Sequence, residues 1–77
     1  MHELALTESV IEQIRERLGD AQVVRVRLAI GRLQAVLPDA VRFSFEVCTQ
    51  GTSLDGATLE ILETPGSELQ IKEVEVK

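Results

Sequence analysis

The sequence is poor in the residues from which metal sites and catalytic sites are usually built. Among its 77 residues there is one histidine, His2, one cysteine, Cys48, and no tryptophan or tyrosine. A structural zinc site usually needs four Cys or His ligands at close spacing, so such a site is excluded. Ser-His-Asp and Cys-His catalytic sets are missing too, and we predict that the protein is not an enzyme. A lone cysteine excludes an intrachain disulfide and favours a reducing cytoplasm.

Charge and aromatic content argue against nucleic acid as a partner. The net charge is −5, and the only aromatic residues are Phe43 and Phe45. Binding to phosphates depends on clustered Lys and Arg, and binding to bases depends on aromatic stacking. The chain also has no apolar run of the ~20 residues that a membrane span requires and no pattern typical of a secretion signal. We therefore expect no nucleic-acid and no membrane partner.

The first half of the chain predicts a helix, a strand and a second helix within one domain covering residues 1–77. Apolar residues recur at helical spacing from Leu6 to Leu18, and Gly19 ends this helix. Its start is open: it begins near Glu3, or later with Thr7 as cap. Period-two alternation then predicts a strand over residues 24–30, with Val24, Val26, Leu28 and Ile30 on its buried side.

The second helix is predicted to begin at Pro38, with Asp39 near its positive end. Its apolar side is expected to contain Leu37, Val41, Ser44 and Cys48, flanked by Ala40 and Val47. Cys48 is interpreted as a small core residue rather than a ligand.

Two further strands follow, at residues 58–61 and 69–76. The apolar phase of the last strand shifts after Ile71 to Val74 and Val76, which predicts a bulge after Lys72. Residues 64–67, with the pair Pro65-Gly66, are expected to turn between these strands as a hairpin, although Pro-Gly suits a type II turn better than the usual hairpin types. The predicted fold is α+β: two helices packed on one face of a small, mostly antiparallel three-stranded sheet.

An ordered set of segments resembles the HypA/HybF family of hydrogenase nickel-insertion proteins. These segments are Met1-His2-Glu3-Leu4, Leu28-Ala29-Ile30-Gly31, residues 36–46 from Val36-Leu37-Pro38-Asp39 onward, Gly56-Ala57-Thr58-Leu59-Glu60-Ile61, and residues 68–76. The resemblance spans nearly the whole chain. It implies a nickel metallochaperone whose partners are a maturation GTPase and the hydrogenase large subunit.

One part of the family pattern is missing. Family members carry a zinc-binding insertion with paired Cys-x-x-Cys motifs between their last two long strands, and this chain has only Pro65-Gly66 there. We interpret this as a deletion of the zinc domain at about residues 65–66, and we expect no zinc.

The first three residues provide chemistry that suits nickel. Removal of the initial methionine requires a small second residue, and His2 is large, so Met1 should keep a free amine. That amine, the His2 amide nitrogen and an imidazole nitrogen can close two small chelate rings, a nitrogen environment that suits square-planar Ni(II). Glu3, water or another chain can complete the site. The resemblance implicates His2 first and Glu3 second.

Other interpretations remain open at this point. His2 can instead be an exposed, frayed terminus. Arg25 and Arg27 are expected to form a solvated strand face or to dock an acidic partner surface. The alternative function is a metal-free interaction module that docks the GTPase or self-associates as a homodimer through its strand edges.

Overall fold

The computed structural model describes residues 2–77 and confirms the α+β fold with two helices and three strands. The elements are α1 (Glu3–Leu18), β1 (Val23–Gly31), a short 3-10 helix (Arg32–Gln34), α2 (Pro38–Thr49), β2 (Thr58–Thr64) and β3 (Leu69–Val76). Gly19 ends α1 as predicted, with φ 58° and its N–H donating to the Arg15 carbonyl. No helix within the described range is long and apolar enough to cross a membrane.

The sheet has the strand order β2-β1-β3, with β1 parallel to β2 and antiparallel to β3. The sheet therefore has one parallel and one antiparallel pair. Because β2 and β3 are not neighbours, the predicted hairpin at residues 64–67 is wrong: this segment crosses over the end of β1 instead. The physical reason is that β1 is the most apolar strand, and the central position gives it pairing on both edges and burial.

The core lies between the sheet and the helices. Its buried members are Leu6, Val10, Ile11, Ile14, Val23, Val26, Leu28, Ile30, Val41, Phe45 and Leu54. The alternation predicted for β1 is confirmed for Val26, Leu28 and Ile30. At the start of the strand, Val23 rather than Val24 is buried, because β1 carries an extra residue there and its register with β3 shifts between Val23 and Arg25.

The buried side of α2 is rotated from the predicted one. Val41, Phe45 and Thr49 are buried, whereas Leu37 and Val47 are largely exposed. Phe45 fills the position facing the core because the larger side chain removes more apolar surface from water. Cys48 is half-buried and packs against the core, as predicted.

The bulge predicted in β3 is confirmed. Arg27 pairs with Glu73 and the next residue, Leu28, pairs with Ile71, so Lys72 is the extra residue. The bulge lets Ile71 and Val74 both pack against the core despite their odd spacing.

Gly31 allows the link between β2 and β3 to cross β1. Its N–H donates to the Glu68 carbonyl at 2.7 Å, and the Leu33 N–H donates to the Gly66 carbonyl at 3.0 Å. A Cβ at Gly31 would overlap the carbonyl of Gly66 and lie 2.7 Å from the Glu68 nitrogen. The absent side chain is therefore what permits this close backbone approach.

We predict that Gly31→Ala destabilises the fold by about 1–3 kcal/mol, the usual range for overpacking. Urea unfolding monitored by circular dichroism measures the free energy. Gly66→Ala is the matched control, since a Cβ there meets only the flexible side chain of Glu68. Equal losses in the two variants would contradict the role assigned to Gly31.

Candidate metal site

His2 is the N-cap residue of α1. Its backbone is extended, with φ −73° and ψ 137°, and its imidazole Nδ1 accepts a hydrogen bond from the Leu4 N–H at 3.2 Å. The His2 carbonyl accepts the Leu6 N–H at 3.0 Å, the first hydrogen bond of the helix. The side chain is exposed. Met1, the third predicted site residue, lies outside the described residues.

Glu3 joins the beginnings of the two helices. It is the first residue of α1, and its carboxylate Oε2 accepts the backbone N–H of Leu37 at 3.0 Å. Leu37 is the N-cap residue of α2 and has no side-chain acceptor of its own. The carboxylate does for α2 what the glutamate of a capping box does within one helix. We call this contact the Glu3–Leu37 clasp.

The environment of Glu3 favours its ionised form. The hydrogen bond from the Leu37 N–H, followed by one from its own backbone, lowers the pKa of Glu3 below its usual value, and the nearby His2 adds to this effect. Helix N-termini carry partial positive charge, and here two of them meet at one carboxylate. The arrangement provides one imidazole and one carboxylate as adjacent, accessible donors.

Reasoning from the sequence identified His2 and Glu3 but missed the backbone amides that hold them. Leu4 and Leu37 are the donors, and neither appears as a functional side chain. A signal was present at Leu37, because a leucine before Pro38 cannot cap a helix and an acceptor must come from elsewhere. Thr7, weighed as a cap, lies inside α1, where its hydroxyl donates to the Glu3 carbonyl at 2.8 Å.

Asp39 has a structural role at the start of α2. Asp39 lies in the first turn of α2, as predicted, and forms an ion pair with Arg42 at 3.1 Å. Within residues 2–77, no three His, Cys, Asp or Glu side chains are grouped closely enough to hold a metal ion.

Arg25 and Arg27 form an ion-pair network on the outer face of the sheet, with glutamates of both outer strands. Arg25 contacts Glu60 at 3.2 Å, Glu73 at 2.7 Å and Glu75 at 3.0 Å, and Arg27 contacts Glu60 at 3.1 Å. The Glu60 contact is the main reason why the pKa of Arg25 is raised. Three carboxylates surround these two arginines, so the network has an excess of negative charge and is poorly suited to dock an acidic partner.

The same network predicts a pH dependence of stability. Hydrogen bonds first from Arg27 and then from Arg25 lower the pKa of Glu60. A lowered folded-state pKa contributes stability above the unfolded pKa, and this is lost as the pH falls through the folded value. Glu60→Gln should therefore lower the free energy of unfolding near pH 7, and this deficit should shrink as the pH falls through the folded-state pKa of Glu60, as measured by urea unfolding at a series of acidic pH values. Glu12→Gln, an exposed change on α1, is the control. A Glu60→Gln deficit that stays constant as the pH is lowered would contradict this account.

Comparison with known proteins defines the family. The family described as "Hydrogenase/urease nickel incorporation, metallochaperone, hypA" matches residues 1–69 of the 77. The chain belongs to this family, as the resemblance had implied.

Curated relatives are also HypA proteins. The chain is 54% identical over 66 residues to the hydrogenase maturation factor HypA of Nostoc punctiforme, an alignment covering 86% of this chain and 58% of the relative. It is 51% identical over 70 residues to that of Beijerinckia indica subsp. indica, covering 87% of this chain and 62% of the relative. The chain thus spans about three fifths of the length of these relatives.

The fold matches a solved structure as well. The solution structure of the Ni metallochaperone HypA from Helicobacter pylori superimposes with a TM-score of 0.67, covering 100% of this chain and 87% of that one. The sequence identity is 18%, so this likeness concerns the fold.

Proposed function

We propose that the chain binds one Ni(II) ion at its first residues and passes it on during the maturation of hydrogenase or urease. Met1 would provide its free amine and His2 its amide and imidazole nitrogens. Glu3, through its backbone or carboxylate, or water or another chain would complete the site. The observation that carries the proposal is the accessible His2 at the start of α1, next to an ionised Glu3, in a chain of the nickel-incorporation family.

The chemistry of the donors supports a carrier rather than a catalyst. Nitrogen donors in a plane suit Ni(II), and an exposed site with an incomplete protein ligand set permits ligand exchange. Such exchange is what delivery to a second protein requires. The maturation GTPase and the hydrogenase large subunit are the partners that we propose for delivery, in a reducing cytoplasm. We further propose that the chain works without a zinc domain, since the short link at Pro65-Gly66 closes the fold by itself.

Calorimetric titration with nickel tests the site directly. The protein should carry no N-terminal tag, so that the Met1 amine is free. We expect one nickel ion per chain for the unmodified protein and loss of that binding in His2→Ala, because the imidazole completes the chelate. Equal nickel binding by both proteins would contradict the proposal.

Two controls separate the N-terminal site from other donors. A version with residues added before Met1 should also lose the binding, since the amine is then converted into an amide. Cys48→Ser removes a thiol on the other end of α2 and should leave the titration unchanged. Retention of tight binding by the extended version would place the site elsewhere.

A metal-free interaction module is the second candidate. It is favoured by apolar side chains left exposed on the described surface, namely Leu33, Leu37, Phe43 and Val47, with exposed fractions of 73%, 69%, 68% and 48%. Contiguous exposed apolar residues often mark protein contacts, and Phe43 and Val47, four residues apart in α2, lie on the same face of that helix. Binding of the maturation GTPase, or self-association, that survives His2→Ala but is lost in Phe43→Ser would support this candidate.

A further inference from the structure

The imidazole Nδ1 of His2 has two uses that conflict. It accepts the Leu4 N–H at 3.2 Å as the cap of α1. In the proposed nickel site, Nδ1 is also the ring nitrogen that must bind the metal, because Nε2 points away from the backbone and cannot close a small ring with the amide of the same residue. An imidazole nitrogen that acts as an acceptor has a single lone pair in the ring plane. Nδ1 can therefore serve the helix or the metal, but not both.

We propose that nickel binding and the capping of α1 exclude each other at His2 Nδ1, so that nickel enters by displacing the Leu4 N–H and leaves as the cap re-forms. This inference rests on the proposed function and adds a mechanism of release to it. The Leu4 N–H competes with the metal for the lone pair of His2 Nδ1. The strength of this hydrogen bond sets how much weaker the folded protein binds nickel than the same donors would without a helix.

The rest of the helix start remains in place when the cap opens. The hydrogen bond from the Leu6 N–H to the His2 carbonyl, 3.0 Å, does not involve the imidazole. Neither does the hydrogen bond from the Thr7 hydroxyl to the Glu3 carbonyl, 2.8 Å. The Glu3–Leu37 clasp connects the first turn of α1 to α2 through the Glu3 carboxylate. None of these contacts uses a nitrogen of the chelate, so binding by the Met1 and His2 nitrogens displaces one hydrogen bond of the helix start, the one from the Leu4 N–H.

Re-formation of the cap favours release. In the metal-bound state, the Leu4 N–H has lost its protein acceptor and faces water at this exposed helix start. Re-forming the cap restores that hydrogen bond, so a recipient that competes for the ion is assisted by the helix itself.

Hydrogen exchange at individual amides tests the competition in the full, untagged chain. With saturating Ni(II) chloride, exchange at the Leu4 amide should accelerate about fivefold, the equivalent of one helix cap. The Leu6 amide, which is bonded to the His2 carbonyl, is the internal control and should change less. Unchanged Leu4 exchange in protein that has bound nickel through His2 would overturn the inference.

A pair of proline variants tests the same point by affinity. Leu4→Pro removes the competing N–H, whereas Ala5→Pro places proline in the same first turn, where it is tolerated, and keeps that N–H. We expect Leu4→Pro to bind nickel about fivefold more tightly than Ala5→Pro by calorimetry. Equal affinities, with helix content retained in both, would refute the competition while leaving the nickel site intact. Absence of His2-dependent nickel binding in the unmodified protein would instead refute the proposed function, and the inference with it.

Discussion

The structure depends on the burial of one strand, β1, between two others. Val23, Val26, Leu28 and Ile30 are each at most 4% exposed, and both outer strands pair only with this strand. Because β2 runs parallel to β1, the chain must return along the sheet before β2 begins, and α2 makes that return. This return also places the start of α2 beyond the C-terminal end of β1, where Leu37 meets Glu3.

Much of this fold could be predicted from hydrophobic periodicity. The end of α1 at Gly19, the start of α2 at Pro38, most of the buried side of β1 and the bulge in β3 each leave a local pattern in the sequence. The strand order does not, because pairing between residues far apart in the chain is decided by which strand gains most from the centre. The hairpin expected at Pro65-Gly66 failed for this reason: a local turn signal cannot report whether the strands on either side of it are neighbours.

The candidate site divides in the same way. His2 and Glu3 were identified from the chelating chemistry of the first residues and from the family resemblance. The atoms that hold them, the N–H groups of Leu4 and Leu37, are present in nearly every residue and leave no mark in a sequence. The competition at His2 Nδ1 can therefore be inferred only when the first residue of α1 is known. If α1 began at Thr7, the imidazole would not cap the helix.

The crossing of the β2–β3 link over Gly31 has a mechanical consequence. The two ends of the link are attached to strands on opposite sides of β1, roughly 10 Å apart at the usual strand spacing. A longer segment grafted at Pro65-Gly66 would span the central strand, with one end attached to β2 and the other to β3. Such a segment would be tied to the sheet at both of its ends, at the end of the molecule where both helices begin.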